Sequence, residues 1–144
     1  MEQRDKTDTI VVHCSQTPKS MDIGVEKIHE WHVIQNKWED VGYHWIIKRD
    51  GTIEAARPED MMGAHAPVAN HRSIAICLIG GSKDDGKGWE NNFTKEQFES
   101  LKNKITDIQD RYEITHIIGH TDVDDRKECP SFDVGEWAKD NGLV

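Results

Sequence analysis

Apolar runs along the chain predict three strands of one sheet. Thr9 to His13 is a β-branched run that ends at the polar segment 15–18. The run 73–79 is apolar almost without interruption, which is typical of a central strand buried on both faces. The run 114–118 predicts a further strand that ends just before His120. The sheet is therefore expected to join distant parts of the chain.

A hairpin and a long loop are predicted between the first two of these strands. The run 41–48 predicts a strand, Arg49-Asp50-Gly51 turns the chain, and 52–56 returns. Residues 57–72 contain two prolines and little apolar periodicity, so we expect a long surface loop on the rim of a site. Residues 80–92 form a second polar, glycine-rich excursion.

Two longer helices are indicated by apolar residues that recur every three or four positions. The first covers about 24–35, with Asp22 as a cap. The clearer one covers 94–112 and starts with a capping box formed by Thr94 and Gln97. Its single apolar stripe predicts that one face packs on the core.

The order of elements predicts an α/β fold: a single domain with a mixed β-sheet of about five strands, flanked by helices. A short final helix is expected over 132–141. Residues 1–8 are predicted as a polar N-terminal arm and residues 9–144 as the domain itself. Ligand sites in such sheets collect at strand ends, where His13 and His120 both lie.

Charge and composition argue against nucleic-acid binding, membrane binding and a membrane span. The formal net charge is −9, which disfavours binding to nucleic acid or to an anionic membrane. No apolar run approaches the roughly 20 residues of a membrane span. Residues 1–6 are polar, so we expect no signal peptide and synthesis in a cytoplasm.

The cysteines point to a metal site rather than to disulfides. The chain has three, an odd number that argues against a disulfide framework. Cys14 and Cys77 lie in apolar runs and are expected to be buried, whereas Cys129 lies among charged residues. His120 is nine positions before Cys129, and imidazole and thiolate are both good zinc ligands.

A third ligand must come from elsewhere, and His13 is the strongest candidate. Neighbouring side chains on a strand point to opposite faces, so Cys14 should face away from a site that His13 lines. None of the compact zinc motifs is present. The other histidines within regular elements are expected to be structural (His29, His32, His44 and His116). Spacing alone therefore leaves both a zinc site and three unrelated side chains open.

Several blocks in a fixed order resemble a known family. They are Val12-His13-Cys14-Ser15, Trp31-His32, Val41-Gly42-Tyr43-His44, Ile46-Ile47-Lys48-Arg49-Asp50-Gly51-Thr52, Asn70-His71-Arg72-Ser73-Ile74, Gly119-His120, and Lys127 with Cys129-Pro130-Ser131-Phe132-Asp133. From about Thr9 to Val144 the sequence resembles the zinc-dependent N-acetylmuramoyl-L-alanine amidases of bacteriophages. These are endolysins of the type 2 amidase family, which also includes the peptidoglycan recognition proteins.

The resemblance implies one zinc ion held by His13, His120 and Cys129. A fourth position would be left for water, which zinc activates for attack on an amide carbonyl. The implied activity is hydrolysis of the bond between N-acetylmuramic acid and L-alanine in peptidoglycan. Lys127 and Tyr43 match the family's catalytic positions. Lys127 would stabilise the charge that develops on the carbonyl oxygen, and Tyr43 would donate a hydrogen bond to the water or to the tetrahedral intermediate. The resemblance leaves open how the two residues divide these roles and which group takes the proton.

Further residues near these blocks are candidates for the substrate groove, namely His65, Asn70 and His71. One departure from the family concerns the loop between His120 and Cys129. It is about one residue longer through Asp124-Asp125-Arg126, which places three charges close to Lys127.

The resemblance also suggests partners and location. We expect a monomer that acts on peptidoglycan during host lysis, and that leaves the host cytoplasm through a holin-type pore. Some phage amidases of this kind also bind and inhibit the phage RNA polymerase, which would be a second role. A non-catalytic peptidoglycan receptor is disfavoured, since such relatives typically lack the cysteine that is present here as Cys129.

Overall fold

The computed structural model describes residues 1–144. The strands, in chain order, are β1 (Thr9–Cys14), β2 (Thr17–Pro18), β3 (Trp45–Ile47), β4 (Ile53–Ala55), β5 (Ser73–Leu78), β6 (Gly81–Ser82) and β7 (His116–Gly119). The helices are α1 (Val25–His29), α2 (Lys95–Arg111) and α3 (Val134–Asp140). A π-helical segment, Glu30–Gln35, continues α1, and short 3-10 turns occupy Asn70–Arg72 and His120–Asp122.

Five strands form one mixed sheet in the order β4-β3-β5-β1-β7. Strand β1 pairs in parallel with β5 on one side and with β7 on the other. Strand β3 is parallel to β5 and antiparallel to β4, its hairpin partner. The predicted five-stranded mixed sheet is confirmed, and β5 is its central strand as expected. The two-residue strands β2 and β6 form a separate small sheet that the sequence did not predict.

One face of the sheet carries the main core. Alternate residues of β1 and β5, among them Ile10 and Ile76, pack against the apolar stripe of α2 around Ile105. Full burial of each such side chain contributes about 1.5–3 kcal/mol. Because strand residues alternate between faces, Val11 and His13 lie on the opposite face. That second face is the one available for a site.

The start of α2 matches the predicted capping box. Thr94 Oγ1 accepts from Gln97 N, and Gln97 Oε1 accepts from Thr94 N. The buried Gln97 amide also donates to the carbonyl oxygens of Ile47 and Ile79. The same residue therefore caps the helix and ties it to two strands of the sheet.

The first helix differs from its prediction at its start. Its N-cap is Gly24, not Asp22, and no side chain of its own caps it. Glu54 Oε1, from β4, instead accepts from Val25 N over 2.9 Å. A carboxylate from a distant strand thus replaces the local cap, which local sequence cannot reveal.

Two predicted strands are shorter than expected. The strand predicted over 41–48 is regular only from Trp45 to Ile47, and the strand predicted over 114–118 starts later, at His116. No helix in the structure is long and apolar enough to cross a membrane.

The segment 57–72 was expected to lie on the surface, and this is only partly correct. Its residues His65, Ala66 and Ala69 are buried, and the two alanines pack on Val11 of the second sheet face. The segment therefore covers the face on which His13 lies. Residues 1–8 are attached to this same segment, because the Arg4 guanidinium donates to the carbonyl oxygens of Glu59 and Met61.

Candidate metal centre and active site

The register of two parallel strands places His13 beside His120. The β1–β7 pairs run from Thr9 with His116 to Val12 with Gly119, so the next residue on each side is a histidine. Their ring centroids lie 4.5 Å apart. The chain then enters the 3-10 turn His120–Asp122, which is fixed where Gly119 N donates to Asp122 Oδ2 over 2.8 Å.

The loop after this turn brings Cys129 back to the two histidines. Thr121 N donates to Cys129 O, and Cys14 N donates to Cys129 Sγ over 2.8 Å. One ligand atom from each of His13, His120 and Cys129 lies within 4.8 Å of the others. The three side chains named from the sequence thus meet at the carboxyl edge of β1 and β7.

Cys14 lies next to this cluster: its backbone N–H donates to Cys129 Sγ, and its thiol contacts the Cys129 thiol. Its sulfur faces Gly81, where an added Cβ would lie only 2.5 Å from it. The alternation of side chains along β1 therefore separates Cys14 from His13, as expected. A set of two nitrogens and one sulfur is a donor combination that zinc accepts.

The electrostatic surroundings favour uncharged ligands before a metal binds. Burial, followed by the neighbouring rings of His65 and His120, holds the pKa of His13 well below its ordinary value. Burial also lowers the pKa of His120, against the opposing charge of Asp124. Burial raises the pKa of the Cys129 thiol. Neutral imidazoles have a lone pair to give, and a bound cation can replace the thiol proton.

The Tyr43 ring lies next to the same cluster. Its centroid is 5.1 Å from that of His13 and 5.6 Å from that of His32. Burial, reinforced by nearby cysteine thiols, raises the pKa of Tyr43 well above its usual value, so the hydroxyl stays protonated. The preceding Gly42 permits a close approach of the covering loop, because a Cβ there would lie 2.2 Å from Ala64 O.

Lys127 is exposed on the loop that leads to Cys129. Its positive charge acts on His120, whose pKa it lowers, so the ammonium group lies within electrostatic reach of the cluster. Asp124 lies on the same loop and also acts on His120. Both carboxylate oxygens of Asp124, however, accept from the Arg126 guanidinium at 2.9 and 3.1 Å. Lys127 forms no ion pair of its own.

A cleft of about 470 Å³ opens beside His120. The loop 66–68 forms one wall and the segment 120–126 forms the other. The cleft is partly polar and is continuous with the exposed side of the cluster. Because His120 lines the cleft, a ligand bound there would contact the exposed edge of the cluster.

The three substrate-groove candidates occupy different environments. His65 is 9% exposed, and its two ring nitrogens lie at hydrogen-bond distance from His13 and Ser73. Asn70 Oδ1 accepts from the backbone nitrogens of His65 and Ala66, so it shapes the loop. His71 is exposed. Substrate binding by these residues stays a prediction.

Sequence reasoning missed Ser73, although its hydroxyl contacts the ring of His65. The sequence places it at the start of an apolar strand and within the block Asn70-His71-Arg72-Ser73-Ile74, without a role of its own. Nothing in the local pattern marks it, because its relation to His65 depends on the path of the covering loop.

Known proteins are similar to this chain over most of its length. A family model described as N-acetylmuramoyl-L-alanine amidase matches residues 3–132. The endolysin of Escherichia phage T7 is 48% identical over 142 residues, which cover 99% of this chain and 92% of that protein. The endolysin of Enterobacteria phage T3 is 48% identical over 141 residues, which cover 98% of this chain and 91% of that protein.

Solved structures show the same architecture. The N-acetylmuramoyl-L-alanine amidase LysC from Clostridium intestinale superposes with a TM-score of 0.80 at 30% identity, covering 96% of this chain and 87% of its own. Drosophila PGRP-LB superposes with a TM-score of 0.79 at 24% identity, covering 99% of this chain and 86% of its own, a likeness of fold alone.

Proposed function

This chain belongs to the N-acetylmuramoyl-L-alanine amidase family, and from that membership we propose that it is a phage endolysin. It hydrolyses the amide bond between N-acetylmuramic acid and L-alanine in peptidoglycan. The observation that carries the proposal is the cluster of His13, His120 and Cys129, with ligand atoms within 4.8 Å of one another beside an open cleft.

We propose that the three side chains hold one zinc ion. The donor set fits: two neutral imidazoles and a buried thiol that gives up its proton to a metal. Three protein ligands leave one position open, which distinguishes a catalytic zinc site from a structural one. When bound, zinc lowers the pKa of water towards about 7 and so supplies a nucleophile near neutral pH.

The protein's own groups would stabilise the negative charge that develops on the amide oxygen. Lys127 supplies a positive charge that is not neutralised by an ion pair. Tyr43 supplies a protonated hydroxyl that can donate a hydrogen bond. Each such donor contributes about 10²–10³ in rate when it is aimed at the oxyanion.

One assay tests the reaction. The purified protein is incubated with peptidoglycan, with and without a chelator, while new alanine amino termini and new reducing sugar ends are counted. We expect amino termini only, their loss with the chelator, and their return when zinc is added back. New reducing ends without amino termini would show a glycosidase and contradict the amidase.

A pair of cysteine variants tests the ligand set. Cys129→Ser should weaken zinc binding and lower activity at least about 10²-fold, since it removes one of three ligands. Cys14→Ala is the matched control, because it removes a neighbouring thiol that contacts Cys129 and keeps the backbone N–H that donates to Cys129 Sγ. Full zinc content and activity in Cys129→Ser would remove this residue from the site.

Further features are proposed from the family alone. These are synthesis in the host cytoplasm, holin-type release, a monomeric state and an interaction with a phage RNA polymerase. Light scattering of the pure protein tests the oligomeric state. Titration of labelled protein with the polymerase of the same phage tests the interaction.

A further inference from the structure

The ring of His65 connects His13 to the start of the central strand. His65 Nδ1 lies 2.8 Å from His13 Nε2, and His65 Nε2 lies 3.2 Å from Ser73 Oγ. Ser73 Oγ in turn donates to Ala69 O over 2.7 Å. The three side chains are all buried, so these bonds define their polar environment.

The direction of each bond follows from counting protons. A serine hydroxyl has one proton, and a carbonyl oxygen only accepts, so Ser73 donates to Ala69 and accepts from His65 Nε2. A neutral imidazole has one N–H, so His65 Nδ1 is an acceptor. His13 Nε2 must then be the protonated nitrogen, which leaves the lone pair of His13 on Nδ1.

We propose that His65 is a positioning residue that fixes His13 in the tautomer with a free Nδ1, the nitrogen offered to zinc. The proposal rests on the proposed zinc site. Metal-binding histidines usually donate their second ring N–H to a carboxylate, a carbonyl or water. Here Nδ1 of a second histidine, His65, accepts that hydrogen bond, and the tautomer of His65 is set by Ser73.

The loop that carries His65 is itself held in place. Asn70 Oδ1 accepts from His65 N at 3.1 Å and from Ala66 N at 2.9 Å. The ring therefore extends from a fixed backbone, and the hydrogen bonds define its orientation. This accounts for a buried histidine that the proposed catalytic mechanism does not otherwise use.

The first test is the nitrogen spectrum of histidine side chains in the metal-free protein, recorded with ¹⁵N labelling. We expect a pyridine-type Nδ1 and a pyrrole-type Nε2 for His13. His44 is an internal reference, because Ala75 N donates to its Nδ1 and its Nε2 contacts Met61 O, which requires the same tautomer. A proton on His13 Nδ1 would overturn the proposal.

The second test compares zinc dissociation constants, measured by competition with a chelator, for two substitutions of similar volume. His65→Asn keeps an acceptor near the position of Nδ1, whereas His65→Leu has none. We expect His65→Leu to weaken zinc binding about 10–100-fold and to mix the two tautomers of His13, and His65→Asn to restore most of both. Wild-type zinc binding in His65→Leu would refute the proposal.

A third variant covers the case in which His65→Leu does not fold. Ser73→Ala removes the acceptor that orients His65, without touching His13. We expect weaker zinc binding and a mixed His13 spectrum, with Ser73→Thr restoring both. An unchanged His13 spectrum and unchanged zinc binding in Ser73→Ala would contradict the proposal that Ser73 orients His65 and thereby sets the tautomer of His13.

The outcomes separate this inference from the proposed function. The amidase would be rejected and the inference would stand if no alanine termini were released while substitution of His65 changed the His13 spectrum and the zinc affinity. Only the inference would be rejected if the protein cleaved peptidoglycan and substitution of His65 left the zinc affinity unchanged.

Discussion

At the residue scale, we propose that the Tyr43 hydroxyl acts in catalysis and not in zinc binding. Its ring packs beside His13, and burial raises its pKa, so the group donates without itself titrating near neutral pH. We expect Tyr43→Phe to keep zinc affinity and to lower kcat about 10²–10³-fold, because only a donor to the transition state is lost. The measurement is kcat beside zinc content.

Tyr112→Phe is the matched control, since Tyr112 is the only other tyrosine and lies at the end of α2. It should leave kcat unchanged. A Tyr43→Phe enzyme of normal kcat would place the donor elsewhere.

At the residue scale the sequence predicted the three clustered side chains but not the environment of His65. Ligand chemistry and the family pattern singled out His13, His120 and Cys129, and the parallel register then brought them together. His65 is predicted to line the groove, and its buried ring lies within hydrogen-bond distance of His13, a contact that the sequence does not predict. Whether a loop histidine faces solvent or the sheet depends on the path of the backbone, which sequence spacing does not encode.

At the element scale, the loop from His120 to Cys129 presents opposite charges beside the cluster. The Arg126 guanidinium donates to both oxygens of Asp124, and we expect these bonds to keep that carboxylate from pairing with Lys127. Arg126→Ala should free Asp124 to attract Lys127 and lower kcat a few-fold, since exposed ion pairs are worth about 0–1 kcal/mol. The effect should shrink at high salt.

The double variant Asp124→Asn with Arg126→Ala checks the cause. It removes the competing charge as well, so kcat should return to the wild-type value. A double variant as slow as Arg126→Ala would show that Arg126 acts in some other way.

The cap of α2 gives a second prediction for an element. Thr94→Ala removes the acceptor for Gln97 N, and it should lower the free energy of unfolding by about 1 kcal/mol without changing zinc affinity. Thr106→Ala, an exposed position within the same helix, is the control and should change stability little. Urea unfolding followed by circular dichroism measures both.

The helix α2 was predictable and the start of α1 was not, for a physical reason. The capping box and the apolar stripe of α2 are local features, separated by three or four residues. The cap of α1 comes from Glu54, and strands β2 and β6 are two residues long, too short to show a pattern. Contacts between distant segments decide these features.

At the scale of the whole molecule, the sheet order explains how residues from both ends of the chain form one site. Strand β1 lies between β5 and β7, so the N-terminal His13 meets the C-terminal His120 and Cys129. The sequence predicted the layers of the fold, since alternating apolar periods define strands and helices. It did not specify the strand order, which depends on how the crossover connections pack.

The same architecture buries histidines, and this makes the fold sensitive to acid. His44 is 1% exposed, and burial is the main reason why its pKa falls to about 4; Arg4 and Arg57 lower it further, against Glu59 and the Met61 carbonyl. Its folded pKa lies below its unfolded pKa of about 6.5. As the pH falls from about 6.5 to 4, His44 therefore binds a proton in the unfolded chain but not in the folded protein.

The stability contributed by neutral His44 is thus present above about pH 6.5 and is lost on acidification, by about 3 kcal/mol at 1.4 kcal/mol per pKa unit. Asp8 acts in a lower window, because the Arg72 guanidinium depresses its carboxyl pKa, and its contribution is lost only below about pH 4. In the upper part of the interval from pH 6.5 to 4 the buried histidines dominate, because the carboxyl groups whose pKa is lowered, among them Asp8 and Glu59, have ordinary values of at most 4.5.

We expect His44→Gln to flatten the fall of unfolding free energy across this interval, even if the variant is less stable at pH 7. Urea unfolding of both proteins at several pH values, with a chelator present throughout, measures the slope without a contribution from zinc. Thr94→Ala is the control: it is destabilised through a helix cap without losing a titrating group, so its curve should run parallel to that of the wild type. Parallel curves for His44→Gln and the wild type would show that His44 does not set the acid limit of this fold.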